Sequence, residues 1–535
     1  MSNRRITLNQ GSGVSDAYPQ LWESRHLLLL GAAILVISFW QALANFYPTA
    51  DNEQLPKDVV PVILQQGRIF SFLLLKLLAP KFAIHPLDLL IAIVAFAASI
   101  AITVRTWAPG SRPEHYAAVL VAAAFPTTVH MFTFSTVNMV CGLATLLSAL
   151  SVWCFVNKRH VWFCAFTVIA VGMYQGVLLN AVVGYIFYLV IQLTDDETPI
   201  ENMIREGLLF IGLLALSSLL YSTLLWIILA AAGEKLRYVQ DMLRPELLLG
   251  GRAGRIISAA FEFLYDVMRG RANLFLDRGR LIGTLQLGLL AAAFINCFRR
   301  SGTTTRGALA VLLLLVGVSA TFLSIALMAA EVRYRTMLSA PIAMGGLAFV
   351  ATMGQPKWLQ NTLLAVSALL TFCYAQTTVQ MIRSAALSWQ ADRELSQRIV
   401  ERIQALSPPP PDGQKMGFDI VGTHTAESPW IRHLDGFNST MGWSFYEYGE
   451  SSSRAIGALS IMGYPNFRLI SNAERLRIAD RVLAMPIWPA DGSVAVIDGI
   501  AVVKFAKRWT NHQISTSCRS LPAPQCSSIL FRTHP

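Results

Sequence analysis

Three carboxylates, Asp51, Glu53 and Asp58, stand within eight residues of one another directly after an apolar run, and Gly67-Arg68 closes the same stretch. Carboxylates beside a bilayer are costly unless solvated, paired or metal-bound, so their density implies a wet loop or a polar cavity. The chemistry they could do is general base catalysis. Asp51 or Glu53 would take the proton from a hydroxyl that attacks an activated carbon such as a sugar C1. The second carboxylate would orient that hydroxyl or raise the first one's pKa, and Asp58 would contact substrate. Taken alone, a solvated loop explains the carboxylates as well.

Cations stand at matching places. Arg68 offers a forked set of donors at headgroup depth, suited to the phosphate of an anionic lipid. Glu331-Val-Arg333-Tyr-Arg335 ends a late apolar run. Two residues apart on a helix, Arg333 and Arg335 would diverge, so a shared phosphate target requires a broken or extended turn there. Headgroup contact is the plainer alternative. Tyr174-Gln175 falls between two apolar runs, where a glutamine needs a partner, either a sugar hydroxyl or a neighbouring helix. His85, His130 and Asn138 read first as packing residues.

Asp51 and Glu53 could hold a divalent ion, but nothing demands one. The chain has no His-x-x-x-His and no Cys-x-x-Cys, so no cofactor is required. Gly250-Gly251-Arg252-Ala253-Gly254 lacks the Lys-Ser/Thr of a phosphate-binding loop. Any group donor must therefore carry its own activation.

The elements that must position these residues are membrane spans. A mean hydropathy of +0.49, with 54% hydrophobic and 14% charged residues, excludes an ordinary soluble globule. The stretches 27–46, 87–104, 116–134, 137–156, 161–174, 177–193, 207–232, 281–298, 307–329, 338–353 and 358–377 predict about eleven transmembrane helices. The net charge of +11 comes from basic residues that punctuate these runs, which marks topology and lipid contact and not nucleic acid. Arg4, Arg5 and Arg25 put residues 1–26 in the cytoplasm. The loops bearing Arg105/Arg112, Lys158/Arg159, Arg299/Arg300/Arg306 and Lys357 then fall on the same side, provided Val59–Phe82 lies along the outer surface instead of crossing. The first outer loop and surface helix (47–85) and the loop Gly233–Arg280, with its amphipathic stretch Ile256–Met268, are then outside.

After the membrane domain (27–378) comes a helical, proline-rich linker at 379–415, and then a small α/β domain at 416–535. Its strand-like runs are Phe418–Val421 and Val494–Phe505, with Asp-Gly turns at 491–492 and 498–499 around a helix at Ala473–Leu483. Its aromatics Trp430, Trp443, Tyr446, Tyr448 and Trp488 either form its core or bind glycan. Five cysteines lie in apolar stretches, whereas Cys518 and Cys526 suit a disulfide if the tail is extracytoplasmic.

In order, the carboxylate loop ending in Gly67-Arg68, Tyr174-Gln175, Arg333-Tyr334-Arg335, Met485-Pro-Ile-Trp-Pro-Ala-Asp-Gly-Ser493 and Val502-Val-Lys-Phe505 resemble the GtrII family of bacterial membrane glucosyltransferases, over nearly the whole chain. The resemblance implies an α-helical polytopic GT-C-like fold in the bacterial inner membrane, with an extracytoplasmic C-terminal domain. It implies transfer of glucose from undecaprenyl-phosphate glucose to a surface glycan, O-antigen, in the periplasm. Its partners would be that donor lipid, the acceptor polysaccharide and membrane lipids. Arg68, Arg333 and Arg335 would meet the donor phosphate, and Asp58, Tyr174 and Gln175 the substrates. Family members commonly carry Asp-Asp in the first loop; here the stretch is Asp51-Asn52-Glu53, so the base is Asp51 or Glu53, with Asp51 favoured. A transporter of a lipid-linked sugar is the alternative. It would want charges at the bilayer midplane and related halves, whereas the charges here gather at the ends of the apolar runs.

Overall fold

Long apolar runs can satisfy their backbones in lipid only as helices, and helices are what these runs form. The computed structural model describes residues 24–48, 60–78, 85–134, 137–194, 198–236, 253–323, 334–408, 414–426, 428–432, 442–447 and 451–510. In chain order the first helices are α1 (Arg25–Ala44), α2 (Val60–Gln65), α3 (Ile69–Leu78), α4 (Leu87–Trp107), α5 (Pro113–Ala124) and α6 (Val129–Phe132). They are followed by α7 (Asn138–Val156), α8 (His160–Met173), α9 (Leu178–Thr194), α10 (Ile200–Ala232) and α11 (Ala253–Met268). The membrane part closes with α12 (Gly279–Arg300), α13 (Thr304–Ala320), α14 (Ala340–Thr352) and α15 (Lys357–Leu406).

Seven described helical stretches are long and apolar enough to cross a membrane, and an eighth is added if the pair Pro113–Ala124 and Pro126–Phe132, bent by 41°, counts as one. α8, α13 and α14 are apolar but shorter. Every stretch in the expected set of about eleven carries a helix, yet fewer than that meet the length requirement of roughly 20 residues. The stretch 59–82 is not one helix. α2 has 6 residues and α3 has 10, so neither spans alone.

The inter-helix contacts sort the loops into two sets. At one end Lys158 pairs with Glu206, and Arg306 donates to the carbonyls of Leu193 and Thr198. Arg299 reaches the Gly354 carbonyl, and Gln360 donates to Glu114. These are the basic loops expected to share a side. Beyond the far end of α10, Gln65 Nε2 donates to Glu234, 2.9 Å away. α14 sits in the middle with all 13 residues buried. Asn296 Nδ2 satisfies its terminal carbonyls at Val350 and Met353 (2.7 and 2.8 Å), groups that a buried helix end cannot leave unpaired.

The sequence suggests a boundary at 379, but α15 runs through it for 50 residues, about 75 Å of helix. Nothing from Gln380 to Gln404 is Gly or Pro. The helix stops at Ser407, before the Pro408 run, because a residue preceding proline is pushed out of helical geometry. Its first half is apolar. In its second half Leu395, Ile399, Val400 and Ile403 are buried against a four-stranded sheet.

That sheet has β1 (Met416–Val421), β2 (Phe467–Leu469), β3 (Val494–Ile497) and β4 (Ile500–Lys504) in the order β2-β1-β4-β3. β1 is parallel to β2 and β4, and β3–β4 is an antiparallel hairpin. The hairpin turn is Asp498-Gly499, with φ of 50° and 77°, the conformation that favours an Asp-Gly pair. α16 (Ser451–Ile461) and α17 (Asn472–Ala484) complete the unit, α17 opening on a Ser471/Glu474 capping box. Asp419 in β1 is fully buried. It receives Arg475 Nε and Nη2 at 2.8 and 2.7 Å, Ser452 Oγ at 2.7 Å and Trp509 Nε1 at 3.2 Å. Of the aromatics noted above, Tyr446 is core and Trp430 is 70% exposed; Tyr448 lies outside the described residues.

Candidate functional site

The candidate site begins with a helix break. α2 ends in Gln65, and Gly67 follows in the left-handed region at φ +78°. The Gly67 amide bonds the Leu64 carbonyl (2.8 Å) and the Arg68 amide that of Ile63 (3.2 Å), closing the helix in a glycine cap. α3 begins two residues after Gly67, at Ile69. The two carbonyls exposed by the break, on Gln66 and Gly67, are captured by side chains from distant helices. Gln175 Nε2 donates to the first at 3.0 Å and Tyr221 Oη to the second at 2.7 Å. Gln175 Nε2 also lies 3.1 Å from Tyr221 Oη, so the two are tied to each other. A Cβ on Gly67 would stand 3.0 Å from each of those polar atoms, so side chains are excluded twice over, by conformation and by space.

This clasp sets the start of Arg68. Its guanidinium lies over the Tyr174 ring, 4.7 Å from the centroid. The Tyr174 hydroxyl reaches the Arg335 carbonyl at 3.4 Å. Arg335 in turn places its guanidinium 5.6 Å from the centre of the Phe134 ring. Tyr334 stacks on His130 (4.9 Å) and packs against Phe263 of α11. Arg335 belongs to a 3₁₀ turn, Tyr334–Thr336, before α14.

Arg68, Tyr174, Gln175 and Arg335, chosen in the sequence for separate reasons, are therefore one cluster. Among the described residues Arg68 Nε is buried with no hydrogen-bond partner, and Arg68 makes no ion pair with a described carboxylate. Both cations rest on aromatic faces, which hold a guanidinium in place.

Asp51, Glu53, Asp58, Arg333, Cys518 and Cys526 lie outside the described residues. The described chain leaves at Pro48 and resumes at Val60, the helix that ends in the Gly67 break. Among the described residues no three His, Cys, Asp or Glu side chains are grouped to hold a metal ion; the Asp51/Glu53 pair falls outside that search. Tyr221 was missed by sequence reading. The only hint is a polar run, Ser217-Ser218 to Tyr221-Ser222-Thr223, inside an apolar helix, and most of those hydroxyls simply bond their own helix.

Residues 41–352 match the family described as Glucosyl transferase GtrII. The match contains the carboxylate loop and the whole cluster. It ends with α14, so Met485–Ser493 and Val502–Phe505, which carried part of the resemblance, lie beyond it. No curated protein and no solved structure matches the chain.

Proposed function

We propose, from the premise that the chain belongs to the glucosyl transferase GtrII family, that this glucosyltransferase takes its glucose from a polyprenyl-phosphate donor and transfers it to a surface glycan such as O-antigen. The reaction takes place on the periplasmic face of the bacterial inner membrane. The N-terminus is cytoplasmic, and the C-terminal sheet is periplasmic. The observation that carries the donor class is the convergence of Arg68 and Arg335 through Tyr174.

In the transfer, Asp51 or Glu53 removes the proton from the acceptor hydroxyl as that oxygen attacks C1 of the glucose. The C1–O bond to phosphate breaks, and the electron pair leaves on the polyprenyl phosphate. Negative charge grows on that phosphate, so cations fixed beforehand lower the barrier without having to reorganise. Arg68 and Arg335 are such cations, each seated on a ring, and Arg333 stands two positions before Arg335. The clasp from Gln175 and Tyr221 fixes the backbone from which Arg68 projects.

The test is transfer by purified protein in nanodiscs, with polyprenyl-phosphate glucose and acceptor polysaccharide. Consumption of donor that depends on acceptor, and its loss in Arg68→Ala and Arg335→Ala, is the expected result. Full transfer by both variants would overturn the phosphate role, and no donor consumption by the wild type would overturn the donor class.

A further inference from the structure

A cavity of about 640 Å³ lies between the C-terminal end of α1, the second half of α15 and the turn after α16. It is outside the cluster described above, and nothing in the transfer mechanism uses it. We propose that it is the binding site for the acceptor glycan, holding a stretch of a few sugar units. The inference rests on the transferase reading for the word acceptor, while the cavity's preference for a glycan is argued from its walls.

Those walls combine flat aromatic faces with amides and charges. Trp40 and Tyr47 come from the α1 end, Trp389 from α15 and Tyr464 from the turn after α16. Tyr and Trp pair an apolar face with a polar edge, and a pyranose ring offers the complement, C–H groups on its faces and hydroxyls around its rim. The hydroxyls need amide and charged partners, and α15 supplies them in one stripe. Arg383, Gln390, Arg393, Glu394 and Gln397 all line the cavity. Their spacing keeps them on one helix face, while on the opposite face Leu395 and Ile399 are buried against the sheet and Asp392 and Ser396 against residues 444–446. The volume falls within the range of small-molecule sites, roughly 300–1,000 Å³.

A lipid headgroup shares some of this chemistry, but its reach is too short. From Arg383 to Gln397 the stripe covers about 21 Å of helix. The headgroup layer on one side of a bilayer is roughly 5–8 Å thick. A headgroup could meet only the end near Arg383, and Gln397 and Tyr464 would be left to something that extends away from the membrane.

The cavity also points toward the reaction. Asn45 and Tyr47 line both it and a second, much smaller cavity, of about 20 Å³, that continues past His85, Thr133 and Asn138. His85 Nε2 is buried there with no hydrogen-bond partner among the described residues, a group that a ligand hydroxyl would satisfy. Phe134, which seats Arg335, follows Thr133 directly, and Tyr47 stands four residues before Asp51 in the sequence.

The experiment uses full-length protein in nanodiscs and O-polysaccharide released by mild acid from the lipopolysaccharide of the strain that carries the gene. Binding is read by calorimetry without donor, and kinetics are read with polyprenyl-phosphate glucose. The variants are Trp389→Ala and the exposed pair Gln390→Ala/Gln397→Ala, since Trp389 also touches Phe445 and its loss could disturb folding. The expected result is an acceptor affinity, and an acceptor KM, weakened about tenfold or more, with donor KM and saturating kcat within about threefold of wild type. Wild-type binding of the polysaccharide that is unchanged in the Gln390/Gln397 variant would overturn the site. So would a wild-type protein that binds soluble glycerophosphate but not the polysaccharide. Polysaccharide binding lost in the variants supports the site even if polyprenyl-phosphate glucose proves not to be the donor, so the two readings fail separately.

Discussion

The Arg68 guanidinium lies 4.7 Å from the centre of the Tyr174 ring, and the Tyr174 hydroxyl reaches the backbone of Arg335. One tyrosine thus couples the cation after the first helix break to the cation before α14. If Arg68 meets the departing phosphate, Arg68→Ala should lower kcat/KM for the donor about 10²–10³-fold. Arg68→Lys should keep the charge but lose the fork and the stacked geometry, and recover only part of that activity. Steady-state kinetics at saturating acceptor reads both.

The clasp around the break should act through position alone. Tyr221→Phe removes the hydrogen bond to the Gly67 carbonyl and leaves that group dependent on other partners, a cost of about 1–3 kcal/mol locally. The expected signature is a fall in kcat with acceptor KM unchanged and normal membrane insertion. Gly67→Ala should be worse, since a side chain there meets both a positive φ and two polar atoms at 3.0 Å. Equal activity in Gly67→Ala and wild type would remove the clasp from the mechanism.

For the base, Asp51→Asn should abolish transfer while leaving donor binding intact, and Glu53→Gln should reduce it less. The reverse order would assign the proton to Glu53. Full activity in both single variants would take this loop out of the chemistry. Donor binding by calorimetry separates the chemical defect from loss of the site.

In the C-terminal sheet, Asp419 and Arg475 form a buried, bidentate pair. Removing one partner strands the other charge, so Arg475→Met should destabilise this unit by about 3–5 kcal/mol. Limited proteolysis within 416–510 should report it as faster cleavage, with the helical part still protected.

Asp392, on the buried face of α15, accepts from Ser444 Oγ at 2.5 Å and the Phe445 amide at 2.8 Å. Burial nevertheless raises its pKa from 3.8 to about 7. The folded form therefore holds a proton that the unfolded chain gives up at lower pH. This contribution to stability is complete below about pH 4 and is lost as pH rises to about 7, a difference of at most about 4 kcal/mol. The apparent Tm of the full protein should fall across that window, and Asp392→Asn should flatten the fall. A wild-type Tm that rises from pH 4 to 7, with no change in the variant, would refute this role.

What the sequence determined by itself was whatever is encoded locally. Apolar length sets where helices lie, so each expected stretch carries one. The Asp498-Gly499 turn and the capped helix after Ser471 depend on a few adjacent residues, and both were legible. So were Arg68, Tyr174, Gln175 and Arg335, because a polar group at the edge of an apolar run needs a reason wherever the run packs. Only the tertiary structure decided which of these reasons are shared. Tyr221 carries only a weak local signal, since a tyrosine in a polar run of an apolar helix is ordinary until another helix brings a broken backbone to its hydroxyl. The continuity of α15 past residue 379 was hidden by a change in composition that alters what the helix packs against but not its backbone preference. The cluster of Arg68, Tyr174, Gln175, Tyr221 and Arg335 came from contacts between residues mostly more than a hundred positions apart, which depend on helix packing and leave no trace in spacing.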